Sequence, residues 1–303
     1  MIKINQHQRA FKEAVEKDSK DLGKRPDWLK VKLPTGDNYS DVKNLMRRQK
    51  LNTVCEEARC PNIAECWNHR TATFMILGDT CTRSCGFCNV KLGMPTELDL
   101  DEPKRVAESV IELDLRHVVI TSVNRDELKD GGAAIFKECV RLIREKKPDC
   151  TVEILIPDFK GEEYAFDIIM QSPPDILNHN LETVPRLYHV VRPQAKYERS
   201  LNLIRWFKNK NLKTKSGIMV GIGEKPEEVL QLMKDLVAHG CDILTIGQYL
   251  QPTKNHLPVD RFVTPEEFAM YKTEGLKMGF KIVESSPLVR SSYHADEQAR
   301  AIF

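Results

Sequence analysis

The sequence predicts an α/β protein, a partial (β/α)6 TIM-like barrel with N- and C-terminal extensions. Three observations carry that prediction. Six short β-rich apolar runs lie between residues 72 and 248, with amphipathic helical patterns between them; strands alternating with helices of that length form parallel βαβ units. Polar residues gather at the C-terminal ends of several runs: Thr121 and Ser122, Asn178 and Asn180, and Gln248. Barrel-type folds build active sites on that rim, whereas an open doubly wound sheet concentrates them at one switch point. The texture also changes near residues 71 and 250, which divides the chain into an N-terminal extension (1–70), a barrel (71–250) and a C-terminal extension (251–303).

Residues 1–70 show no regular alternation; charged, Pro- and Asn-containing segments there predict an extended or helical wrap. The strands that follow are "ATFMIL" (72–77), "HVVITSV" (117–123), "TVEILI" (151–156), "DILNHN" (175–180), "TKSGIMVG" (214–221) and "DILTIGQ" (242–248). Intervening helices include "EPKRVAESVIEL", "GAAIFKECVRLIREKK", "YERSLNLIRWFKNK" and "KPEEVLQLMKDLVAHG". Beyond 250, "QPTKNHLPVDRF" reads as loop and "TPEEFAMYKTEGLKMG" as a capped helix. "FKIVESSPLVRSSYHADEQ" reads as a further strand and a tail. Asn124, Arg125 and Asp126 read as a helix-capping turn, because Asn and Asp favour that role.

Over 303 residues, 41% hydrophobic and 30% charged composition is that of a globular protein able to bury a full core. A formal net charge of +2 gives no footprint for nucleic acid, and the basic run "KNLMRRQK" (43–50) reads as a solvated helix face. No apolar stretch approaches the roughly 20 residues of a membrane span. The N-terminus is too polar for a signal peptide, so the expected location is the cytoplasm, without a membrane or nucleic-acid partner. That compartment keeps thiols reduced, so the nine cysteines are not expected to form disulfides. Cys139, Cys150 and Cys241 sit singly among apolar neighbours and read as small buried residues.

The other six cysteines form two triplets. Cys81, Cys85 and Cys88 are spaced C-x3-C-x2-C in the loop directly after the first barrel strand. Zinc knuckles pair to give four ligands, and no fourth Cys or His lies nearby. Three thiolates at this spacing instead suit three irons of a cubane, leaving the fourth iron open to another ligand. Phe87 stands beside Cys88, where it would shield such a cluster from water. Cys55, Cys60 and Cys66, spaced C-x4-C-x5-C, are also one ligand short and read as a second, auxiliary cluster.

The C-x3-C-x-aromatic-C string resembles the signature of the radical S-adenosylmethionine (SAM) superfamily. That resemblance implies that SAM chelates the open iron and is cleaved by one electron to methionine and a 5′-deoxyadenosyl radical. Further motifs narrow it: "ARCPNIAECW" (58–67), "TATFMILGDTCTRSCGFCNV" (71–90), "TSVNRDEL" (121–128), "NHNLETV" (178–184), "GIMVGIGE" (217–224), "IGQYLQPT" (246–253) and "VRSSYHA" (289–295) together resemble the lipoyl synthase family. This resemblance spans residues from about 50 to 297, and the first 45 residues carry little of it. It implies insertion of two sulfur atoms, at C6 and C8 of an octanoyl chain amide-linked to a lysine of a lipoyl carrier protein. Two 4Fe-4S clusters and two SAM molecules per lipoyl group would be used, with the auxiliary cluster as sulfur donor. By the same resemblance, Ser292 is the fourth auxiliary ligand, with Ser291 the alternative. In an extended segment their side chains point to opposite faces, so one alone reaches the iron. An alkoxide is harder than a thiolate and more readily released, which suits a cluster that surrenders sulfide. The implied partners are octanoylated carrier domains, an electron donor such as ferredoxin or flavodoxin, and an iron–sulfur assembly or carrier protein.

Abstraction of hydrogen from unactivated carbon lies beyond acid–base catalysis, and no side-chain acid or base is assigned; His179 and His294 read as structural. Candidate SAM contacts are Thr121 and Ser122 at the amino-acid end, Asn124, Asn180 and Glu182 at the ribose or ammonium, and Gln248 to Leu250 as backbone contacts to adenine. Gly217, Gly221 and Gly223 would permit close backbone approach, and Arg192 and Arg290 could hold a carboxylate or the peptide. Two other readings stand beside this one. One is a different sulfur-inserting radical enzyme, such as a biotin synthase or methylthiotransferase; the other is a non-catalytic zinc or iron–sulfur scaffold.

Overall fold

A computed structural model describes residues 22–31, 37–69 and 72–303. The rest of the wrap expected over 1–70, with the polar N-terminus, lies outside the described residues. The described part of that wrap is helical: α1 (Asp37–Arg48), a short β1 (Asn52–Thr53), α2 (Val54–Glu57) and α3 (Ile63–Asn68). The basic run falls on α1, where Arg47 and Arg48 are exposed and pair with Glu56 and Glu112.

The six expected strands all form: β2 (Thr73–Ile76), β5 (His117–Ser122), β6 (Thr151–Leu155), β7 (Ile176–Asn178), β8 (Lys213–Val220) and β9 (Ile243–Gln248). They pair in parallel in chain order. Their apolar runs are continuous because helices cover one face and the barrel interior the other. A seventh parallel strand, β10 (Ile282–Ser285), extends the array beside β9, and β1 closes the opposite edge antiparallel to β2. The short pair β3 (Thr80–Cys81) and β4 (Lys91–Leu92) brackets the second cysteine triplet.

The outer layer is α4 (Glu102–Glu112), α5 (Ala133–Lys146), α6 (Glu163–Met170), α7 (Tyr188–Val191), α8 (Tyr197–Lys208), α9 (Pro226–Ala238) and α10 (Pro265–Met278). Each long helix buries one stripe; α5 contributes Ile135, Phe136, Cys139, Val140 and Ile143. The expected cap of α10 is present, Thr264 accepting from the Glu267 amide. Residues Ala295–Ile302, read from sequence as a tail, form a helix, α11. Its Ala299 and Ile302 pack on Ile176, Ile243 and Ile282, at or near the N-terminal ends of their strands, so α11 plugs the lower end of the barrel.

Above that plug lies a polar layer. Lys215 Nζ stands 3.0 Å from the Glu153 carboxylate, and Asn178 donates to the same group at 2.8 Å, all three side chains fully buried. Burial alone would raise Glu153, but the Lys215 charge, joined by His117 and by the hydrogen bond from Asn178, outweighs it and holds the carboxyl below its ordinary value. The interior space at the other, C-terminal, ends of the strands is left for the site.

Candidate active site

The loop from Cys81 to Cys88 is fastened on every side. Asn124 and Arg83 donate backbone N–H groups to Cys81 Sγ at 3.3 and 3.5 Å. Gly86 donates to the Val191 carbonyl, and its own carbonyl accepts from Leu257. A His256 ring nitrogen lies 2.9 Å from the Cys88 carbonyl. Beneath the loop, buried Arg83 makes a two-pronged pair with Asp126 at 2.7 and 2.8 Å and meets buried Asp158 at 2.7 Å. Arg199 brings a second cation to Asp158 at 3.0 Å. The expected capping turn at 124–126 is therefore something else: Asp126 answers Arg83, and buried Arg125 reaches the carbonyls of Leu77 and Glu97. Helix α5 begins later, at a left-handed Gly132.

The first triplet is set by helix starts and turns. Thr53 caps α2 by accepting from the Glu56 amide, and Cys55 lies in that first turn. Cys60 donates its N–H to the Cys55 carbonyl after a left-handed Arg59, and Cys66 lies on α3. The C-terminal segment folds onto this unit: Asn62 donates to the Leu288 carbonyl at 2.7 Å, and the Tyr293 hydroxyl to Glu65 at 3.1 Å. Thr73, whose backbone lies against the Cys55 sulfur, donates its hydroxyl to Ser292 Oγ at 2.7 Å. Residues 290–293 form a turn, Tyr293 N–H bonding the Arg290 carbonyl, where the sequence suggested extended chain. The adjacent serines nevertheless part: Ser291 Oγ accepts from Asn180 Nδ2 at 2.7 Å.

Both triplets, Ser291 and Ser292 line one cavity of about 640 Å³. Burial raises the Cys55 and Cys85 thiols to about 11 and Cys88 to about 12, and it raises Cys60 as well. Such thiols ionise only with a compensating cation, so a metal cluster bound here releases protons as it forms. Among the described residues no three His, Cys, Asp or Glu side chains converge as one metal ion requires. A cubane places each thiolate on a separate iron and needs no such convergence. The cavity also holds buried polar atoms without partners: Ser122 Oγ, Asn124 Oδ1, Asn180 Oδ1 and Arg192 Nε. Unpaired groups of this kind suit a polar ligand. Thus the donor sets fit both clusters and a small polar cofactor.

Each candidate rim residue can now be placed. Ser122, Asn124, Asn180, Glu182 and Leu250 line the cavity, and Glu182 does so from a left-handed backbone (φ 66°). Burial raises its carboxyl, with Arg192 opposing. Thr121 also lines the cavity, but its hydroxyl is engaged by the Leu155 carbonyl. The Gln248 side chain is spent on the protein, donating to the Tyr249 and Arg261 carbonyls and accepting from Val263, which leaves its backbone. Arg192 donates to the carbonyls of Asn180 and Leu181, and the space before Gly221 is filled by Gln248 and Arg261. His179 is buried between the Ile156 carbonyl and Ser200 Oγ, which is a structural role; burial lowers it to about 4. Cys139, Cys150 and Cys241 are buried as expected. Thr73, Gly247 and the Arg83 network went unread in the sequence. Each acts through a partner at least 42 positions away.

A partial barrel with a C-x3-C-x2-C loop after its first strand defines a radical SAM enzyme, and the radical SAM superfamily profile matches residues 75–236. The fold is shared with solved SuiB of Streptococcus suis bound to its precursor peptide SuiA: TM-score 0.56 at 12% identity, over 92% of this chain and 62% of that one. The profile for the N-terminal domain of lipoyl synthase matches residues 2–60, so the first 45 residues carry more family signal than the motifs suggested. The lipoyl synthase of Rubrobacter xylanophilus is 62% identical over 90% of this chain and 86% of its own. That of Koribacter versatilis is 57% identical, over 91% and 92%. The chain belongs to the lipoyl synthase family.

Proposed function

We propose that Cys81, Cys85 and Cys88 hold the cluster that binds SAM, and that Cys55, Cys60, Cys66 and Ser292 hold the auxiliary cluster. The chain is a radical SAM sulfurtransferase that converts an octanoyl chain to a lipoyl group. When bound, cluster and SAM supply the hydrogen-abstracting radical, and the auxiliary cluster supplies sulfur. The observation that carries the ligand reading is Ser292 standing 2.7 Å from the hydroxyl of Thr73, whose backbone bonds the Cys55 sulfur, in the cavity the first triplet lines.

The protein's own part is positional. Ser122, Asn124, Asn180 and Glu182 offer donors and acceptors for the amino-acid and ribose ends of SAM, and Leu250 and the backbone of Gln248 take adenine. Phe87 packs with Val191, Ile222, Tyr249 and Leu257, an apolar wall that keeps water from the second triplet. Arg290 lies half-buried near Cys60, and desolvation lowers its guanidinium. Its charge offsets the anionic ligands of the auxiliary site. Octanoylated carrier domains, a ferredoxin- or flavodoxin-like reductant and an iron–sulfur carrier are the partners this chemistry asks for. Among the described residues no helix is long and apolar enough to cross a membrane.

The test is anaerobic incubation with dithionite, SAM and an octanoyl-lysine peptide. Mass spectrometry should show two sulfurs gained with loss of hydrogen, alongside 5′-deoxyadenosine. Deoxyadenosine without sulfur insertion into any octanoyl substrate would overturn the substrate; colourless, zinc-containing protein would overturn the chemistry.

A further inference from the structure

The R-S-S segment enters the barrel mouth across two glycines on neighbouring strands. A methyl group at Gly217 of β8 would stand 2.9 Å from Ser291 Oγ and 2.8 Å from Asn180 Oδ1. One at Gly247 of β9 would stand 2.0 Å from the Val289 carbonyl oxygen and 3.0 Å from Arg290 Nη1. A side chain at Gly247 would displace the backbone of the segment, and one at Gly217 would displace the Ser291, Asn180 and Thr245 side chains. Brought in this way, the two serines reach opposite sides: Ser292 meets Thr73 on β2, and Ser291 meets Asn180 just beyond β7.

The bond to Asn180 has a consequence for that amide. Asn180 Nδ2 donates both to Ser291 Oγ at 2.7 Å and to Glu182 Oε1 at 3.1 Å, so both of its hydrogens are used. Its Oδ1 is buried, lacks a partner and belongs to a cavity-lining residue. Fixing the nitrogen fixes the oxygen as a free acceptor.

We propose that Ser291 is a positioning residue: its hydroxyl locks the Asn180 amide with Oδ1 presented to SAM, and ties that rim to the turn carrying Ser292. This rests on reading Asn180 as a SAM contact and Ser292 as the auxiliary ligand. Ser291 is then not a spare ligand but the link between the two sites.

The experiment is equilibrium binding of SAM to anaerobically reconstituted full-length protein, with iron content and thermal unfolding measured on each variant. S291A should weaken SAM binding about fivefold, the scale of one hydrogen bond, while both clusters and the melting temperature stay as in the parent. S291T should restore affinity, and S291A should add nothing to N180A, because the two act through one amide. Where S291A loads poorly, the isosteric pair S291T and S291V carries the same comparison, with valine about fivefold weaker. Parental affinity in S291A, or equal affinities in the Thr and Val variants, while N180A binds weakly, overturns the positioning role. Parental affinity in N180A instead overturns the cofactor-contact reading on which it rests. An S292A protein with an unaltered auxiliary-cluster spectrum overturns the ligand reading alone.

Discussion

The two cysteine triplets share a cavity but are built in opposite ways. Cys81, Cys85 and Cys88 lie within one loop, pinned by their own neighbours and by a buried charge network under Arg83. Cys55 and Cys66 sit on short helices outside the barrel with Cys60 in the turn between them, and their unit is completed by chain that returns from Leu288 and Ser292, more than 200 positions on. The Cys81–Cys88 loop is a local device, and the proposed function has its gap admit a cofactor. The Cys55–Cys66 unit is a long-range closure, and the returning chain brings it a hydroxyl rather than a thiol.

The sharpest break in the comparison is ligand removal. C85A should abolish SAM-derived 5′-deoxyadenosine, falling to background, beyond the roughly 10- to 100-fold that outer-shell changes cause. It should keep the iron of the other site. C60A should do the reverse, losing auxiliary iron and lipoyl product while still cleaving SAM. Chromatography of deoxyadenosine beside iron assay separates them; if both variants lose both activities and all iron, the two sites do not assemble independently.

Next in size is S292C. A fourth thiolate should keep the auxiliary cluster, and deoxyadenosine should still form, while sulfur insertion falls by about 100-fold or more because the ligand no longer leaves readily. Full insertion by this variant would remove the reason offered for a serine.

The charge network under the second triplet supplies a stability test that the first triplet lacks. Breaking a buried pair by removing one partner costs about 3–5 kcal/mol, so R83Q should lose that much in chemical denaturation of the reconstituted protein. Burial would raise Asp158, but the charge and hydrogen bond of Arg83, joined by Arg199, together outweigh it and hold the carboxyl well below its ordinary 3.8. The folded value being depressed, this contribution is complete above pH 3.8 and fades as pH falls toward the lower folded value. D158N should flatten that acid limb, and an unchanged limb would assign acid sensitivity elsewhere.

What the sequence made legible follows the same divide. Strands read well because parallel strands buried on both faces are unbroken apolar runs, and the local C-x3-C-x2-C spacing declares its chemistry unaided. The Arg83–Asp158 pair did not read, since no periodicity links residues 75 positions apart. Helix α11 was missed because its eight residues bury Ala295, Gln298 and Ala299 only against the barrel floor. Divergence of Ser291 and Ser292 was legible from adjacency, but not where each goes. That depends on Gly217 and Gly247 admitting the turn, a steric fact visible only when the strands are assembled.

The smallest expected effect bears on the closure itself. Thr73 contributes a backbone contact to Cys55 and a hydroxyl to Ser292, so it touches both ends of the long-range unit. Valine keeps its shape and β-branching and removes only the donor. T73V should fold and load as the parent does, since a β-branched residue suits the buried strand. Without the donor, Ser292 should leave iron more easily. Chelator should then strip auxiliary iron about fivefold faster, the worth of one hydrogen bond, while the loop cluster loses iron at the parental rate. T73S should restore the slow rate. Acceleration at both clusters would mean general loosening of the cavity, and acceleration at neither would mean that Ser292 is held by the turn over Gly217 and Gly247 rather than by β2.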